Sequence, residues 1–154
     1  MNQPYESTIL RFIAKNFLVP LMIVFAVYVL IHGESSPGGV FQAGAIFASA
    51  IILVRLIGGN TQTKGLKSLP MPLLIVVAST GLGIYVVTGI LAQLFGANYL
   101  DYAAIPLQWF NEFAGENRTN RAMGMWIIEL GVFLGVASVL VIIFDLLSKD
   151  PKND

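Results

Sequence analysis

One carboxylic acid, Glu129, stands inside an apolar stretch, Met125-Trp-Ile-Ile-Glu-Leu-Gly-Val-Phe133. A carboxylate there is costly unless a cation or several hydrogen-bond donors accompany it. Two roles fit such a residue. It is either a structural carboxyl hydrogen-bonded between helices, or a group that relays protons or cations or tunes their path. The second concentration of polar chemistry is His32-Gly33-Glu34-Ser35-Ser36-Pro37-Gly38-Gly39-Val40-Phe41-Gln42-Ala43-Gly44, set between two long apolar runs. Ser36-Pro37 is a helix opening, a hydroxyl cap followed by proline at the first helical position. Gly38 and Gly39 put two permissive residues in the first turn, which predicts an irregular start and a close backbone approach. Gln42 lies about one turn further on, where a side-chain amide needs a partner. The chain has no cysteine and one histidine, so thiolate catalysis, iron–sulfur ligation and a multi-histidine metal site within the chain are excluded. No nucleophile–base pair or phosphate loop is present. An enzyme acting alone is not expected, and neither is a cofactor.

The elements that must hold these residues are membrane helices. Of 154 residues, 56% are hydrophobic and 12% charged, with a mean hydropathy of +0.75. Soluble domains carry about twice that charged fraction. Net charge is zero, which gives no footing for a nucleic-acid partner. Four spans are predicted, over about residues 16–32, 39–57, 70–95 and 122–147, making an all-α polytopic membrane protein surrounded by lipid. The first holds only sixteen uncharged residues, a rise of ~24 Å, so it must borrow from its flanks. Residues 1–15 read as a retained segment, not a signal peptide. They form either a short interfacial helix or an extension of the first span. Residues 61–68 form a short polar loop. Residues 96–121 form the longest connection, in which Pro106–Phe113 suits a surface helix and Tyr99 and Tyr102 suit the interface.

Lys and Arg set the orientation. With four spans and the N-terminus inside, Arg11, Lys15, Arg55, Lys64, Lys67, Lys149 and Lys152 are cytoplasmic, and only Arg118 and Arg121 lie outside. That bias predicts both termini in the cytoplasm. His32, Gln42 and Glu129 then share the outer third of the membrane, where His32 and Gln42 are the candidate partners for Glu129 within this chain. Arg55 is expected to snorkel and Asp145 to be interfacial, both at the opposite end. Gly131 and Gly135 form a close-packing pair, with Glu129 pointing roughly 160° away from Gly131. Two such different faces on one helix predict protein on both sides, hence a larger assembly. Gly44, Ala48 and Ile52 form a second strip suited to close approach.

The string His32-Gly33-x-x-Ser36-Pro37-Gly38-Gly39-x-Phe41-Gln42-x-Gly44 resembles the signature of the MnhB-like family, the B-type subunits of the multisubunit Mrp-type cation/proton antiporters. The resemblance extends to Gly124–Val132 and to chain length. It departs at Glu34, where a second histidine is expected, and at Val40, where a third glycine is usual; nothing ascribed to that histidine carries over. The resemblance implies a small, non-catalytic membrane subunit of a sodium/proton antiporter in a bacterial or archaeal cell membrane. Its partners would be other subunits, among them large ones similar to the proton-pumping subunits of respiratory complex I. Subunits of redox-driven relatives, such as membrane-bound hydrogenases, share a similar signature and supply the alternative. A pure assembly scaffold is a third reading.

Overall fold

A segment crossing hydrocarbon can satisfy its backbone polar groups by coiling on itself, and each long apolar run of this chain is helical. The computed structural model describes residues 8–33, 38–57, 69–102, 105 and 120–148. In it, α1 (Thr8–Ile13) leads through a π-helical stretch (Ala14–Leu18) into α2 (Val19–Ile31), followed by α3 (Gly39–Ile57), α4 (Met71–Leu94) and α5 (Asn120–Leu147). Four stretches are long and apolar enough to cross a membrane: Ile9–Ile31, Gly39–Ile57, Met71–Leu94 and Ala122–Leu147. The protein is all-α, and no strand occurs among the described residues.

Over the described part of the N-terminal segment, helix continues without a break from Thr8 to Ile31, as an extension of the first span would; residues 1–7 lie outside the described residues. Pro20 stands in the first turn of α2 and offers no N–H to the carbonyl one turn earlier, and the widened π-helical turn lies just ahead of it. Ser36 and Pro37 of the predicted cap, Glu34, the 61–68 loop and the Pro106–Phe113 surface helix fall outside the described residues.

The main contacts run from α2 to α3, from α3 to α5 and from α5 to α4, so α5 lies between α3 and α4. The α2–α3 hairpin closes on two glycines. A Cβ built on Gly39 would lie 2.6 Å from the Gly33 Cα, so neither backbone has room for a side chain at that point. Gly38 makes the turn with φ +85°, a left-handed conformation natural to glycine. Between α3 and the parallel α5, Gly44 is buried under Val136, and the Phe47 and Phe133 rings stand 5.4 Å apart. Antiparallel α4 and α5 cross at Gly81 and Gly131, where a Cβ on Gly81 would come within 2.5 Å of the Gly131 carbonyl oxygen. Ala48, Ile51, Leu74 and Val141 form the buried cluster at the other end of these helices. After α4 the chain folds back, seating the Tyr99 ring on Gly89 and Tyr102 on Gly124. The two tyrosines expected at the interface thus pack on glycine backbones. Outward faces remain large: Phe17, Leu21 and Val24 of the first span are all more than half exposed, a surface for lipid or protein rather than water.

Candidate functional site

Glu129 is half-buried, and its Oε2 atom and the nearby Trp126 Nε1 are enclosed. Its orientation follows from its neighbours on α5. Phe133, one turn later on the same side, meets Phe47 of α3, and Val136 covers Gly44. Because α3 and α5 run parallel, stepping back from Phe133 to Glu129 arrives level with the N-terminal turn of α3, at Gly39 and Val40. Gly131 faces the other way, onto Gly81 of α4. The two dissimilar faces of α5 are therefore covered by this chain's own α3 and α4. Protein on both faces was expected, and two helices of the same chain supply it.

His32 follows the last turn of α2. Its Nδ1 donates to the Tyr28 carbonyl oxygen at 2.9 Å, and its ring stacks on that of Tyr28 at a centroid distance of 4.2 Å. The next residue, Gly33, is pressed against Gly39 and Val40. His32, Gly33, Gly38, Gly39 and Glu129 are thus gathered at one end of the helices. Gln42 is not brought to Glu129. It is exposed, as are Phe41 and Ser49, while Val40, Gly44 and Ala48 form the buried side of α3. An amide one turn into an apolar run needs a partner, but the rotation of α3 against α2 and α5 turns this one outward.

A second polar contact escaped the sequence reading. Arg55, one turn before the end of α3, is ion-paired with Asp145 near the end of α5, their side chains 11% and 20% exposed. Arg55 also donates to the Leu69 carbonyl oxygen at 3.3 Å. Arg55 therefore does not snorkel, and Asp145 is not merely interfacial: the pair joins two spans and the entry to α4. The signal was available as opposite charges at matching depth, on spans two and four, which run in the same direction. Among the described residues no group of three or more metal-ligating side chains assembles.

Glu129 and the glycine hairpin thus occupy one end of a four-helix membrane chain, and the Arg55–Asp145 pair the other. Over this frame, residues 9–142 match the family described as a domain related to the MnhB subunit of Na+/H+ antiporters. The chain belongs to the MnhB family. Among its relatives is the B-type Na(+)/H(+) antiporter subunit of Bacillus subtilis (strain 168), 27% identical over 97% of this chain and 99% of that protein. Another is the antiporter subunit mnhB2 of Staphylococcus aureus (strain Newman), 29% identical over 88% of this chain and 90% of that protein. No solved structure matches. These MnhB relatives are transporter components from bacteria, and they favour the antiporter reading over a redox-driven complex.

Proposed function

We propose that this MnhB-family chain is the B-type subunit of a multisubunit Na+/H+ antiporter, working beside other subunits in the cell membrane with both termini in the cytoplasm. The match to the MnhB family across residues 9–142 carries this reading, and the four apolar helices agree with it. Within the complex the chain contributes no catalytic group. Its role is to complete the assembly and to set Glu129, level with His32 and the Gly33–Gly39 hairpin, beside an ion path in the outer part of the membrane. The experiment is affinity purification of the tagged chain from its native membrane, followed by Na+/H+ exchange in vesicles. Exchange by the co-purified complex and none by the chain alone is expected. Coupled exchange by the reconstituted chain alone, or co-purification with a redox enzyme, would overturn the proposal.

A further inference from the structure

Beyond the Gly81–Gly131 crossing, toward the Glu129 end, the chain carries a second pair of glycines at one level. Gly89 lies ~12 Å along α4 from Gly81, and Gly124 lies ~10 Å along α5 from Gly131. At this level the nearest atoms are not those of a helix backbone. A Cβ on Gly89 would run into the Tyr99 ring, and one on Gly124 into Cβ and Cγ of Tyr102. Three residues apart in the segment that follows α4, the two tyrosines occupy a notch in each helix and so bridge the arms of α4 and α5.

The bridging segment holds a conformation that its sequence does not favour. Gly96 ends α4 at φ +78°, which glycine adopts readily, but Leu100 has φ +66°. Leu100 is the third residue of a turn closed by the Asp101 N–H, which donates to the Asn98 carbonyl oxygen at 3.0 Å. Glycine or asparagine takes such a position without strain. Leucine there lowers the population of the turn about tenfold. Leu100 stands between the two seated tyrosines, whose packing holds the left-handed backbone in place. With the rings withdrawn the strain is released, and α4 and α5 both present glycine, the residue that lets them touch at their crossing. The same helices thus have two packings, one with rings seated and arms apart, the other with arms closed.

We propose that residues 96–102 form a releasable strap: seated, Tyr99 and Tyr102 hold α4 and α5 apart, and on release the arms close at Gly89 and Gly124 and shift the part of α5 that carries Glu129. The link to ion exchange rests on the antiporter-subunit reading, whereas amide exchange and helix separation test the strap without it. Leu100→Asn relieves the turn and Leu100→Val, β-branched, strains it further. Hydrogen exchange at the Asp101 and Tyr102 amides should be about tenfold slower with asparagine than in wild type, and about tenfold faster with valine. Because the chain has no cysteine, Leu94→Cys and Met125→Cys place one spin label on each arm of the full chain in nanodiscs. Replacing both tyrosines by alanine should shorten the distance between the labels. Leu100→Val, which keeps both rings, should enrich the same shorter distance. In the complex, Leu100→Asn should lower Na+/H+ exchange about threefold at unchanged yield, the effect of a strap harder to release. Equal amide exchange in the two Leu100 variants, or a label distance that neither change shortens, would overturn the proposal. Undiminished ion exchange with a slowed strap would overturn its part in transport. A wild-type complex without Na+/H+ exchange would count against the antiporter-subunit reading instead, with amide exchange and label distance still deciding the strap.

Discussion

Arg55 and Asp145 are paired across α3 and α5, each about one turn or less from the end of its helix. The pair pins the register of two parallel spans, and the contacts of Gly44 with Val136 and of Phe47 with Phe133 continue that register upward. Its far consequence is the placement of Glu129 beside the first turn of α3. A slip of one helical turn would carry the carboxyl ~5.4 Å from that level.

Removing one partner leaves a charge enclosed without its counterion. Losing half of a fully buried pair costs about 3–5 kcal/mol, and with a fifth of Asp145 exposed a loss of about 2 kcal/mol is expected for Arg55→Ala. Melting in detergent measures it. Exchanging the two charges (Arg55→Asp with Asp145→Arg) should recover part of the loss, and an unchanged melting temperature in both single variants would show that the pair carries no stability.

The two hairpin glycines should fail differently. Gly39→Ala places a Cβ against Gly33 and should force α2 and α3 apart, with overpacking costing about 1–3 kcal/mol. Gly38 has free space around it but a left-handed backbone. Gly38→Asn should therefore be nearly neutral, while Gly38→Val should destabilise by about 1–2 kcal/mol. Equal tolerance of Gly38→Asn and Gly38→Val in thermal melts would remove the backbone argument.

At the α4–α5 crossing, Gly131→Ala puts a methyl within 2.8 Å of the Gly81 carbonyl oxygen, which cannot move without its helix. A loss of about 1–3 kcal/mol is expected, whereas Gly83→Ala, in open space, should change nothing measurable in the chain alone. A chain that melts alike with either alanine would place the helix contact elsewhere.

For Glu129 the informative change is Glu129→Gln, which preserves shape and most hydrogen bonding but cannot titrate. The complex should assemble, and its exchange activity should fall or its pH profile move. Glu129→Ala should also damage assembly by leaving a polar neighbour unsatisfied. Full assembly and an unaltered pH profile with glutamine would reduce the residue to a structural role.

Much of this was legible because a long apolar run in hydrocarbon must satisfy its own backbone polar groups, and a helix does so within one segment. The four helices follow from apolar length, and a close backbone approach at Gly38–Gly39 from glycine placement; that Gly33 is the neighbour came only from the fold. The identity of neighbours does not. Arg55 and Asp145 meet because span four packs on span two, and helical periodicity within one span carries no information about which other span it touches. Gln42 illustrates the same limit: its depth was readable, but its direction depends on how α3 is rotated between α2 and α5. Gly131 and Gly135 looked equivalent at spacing four, and both backbones lie against Gly81, yet a Cβ on Gly131 would meet the Gly81 carbonyl oxygen while one on Gly135 would meet nothing within 4 Å.

The position of α5 also bears on how the protein is made. Spans enter the membrane in chain order, so α4 is in place before α5 has been synthesised. In the finished chain α5 lies between α3 and α4, and Leu74 at the start of α4 shares its buried cluster with Val141 of α5. Until α5 has been made, Gly44 of α3 and Gly81 of α4 lack the helix that covers them in the finished chain, so a chain stalled before residue 120 would leave both glycine faces uncovered.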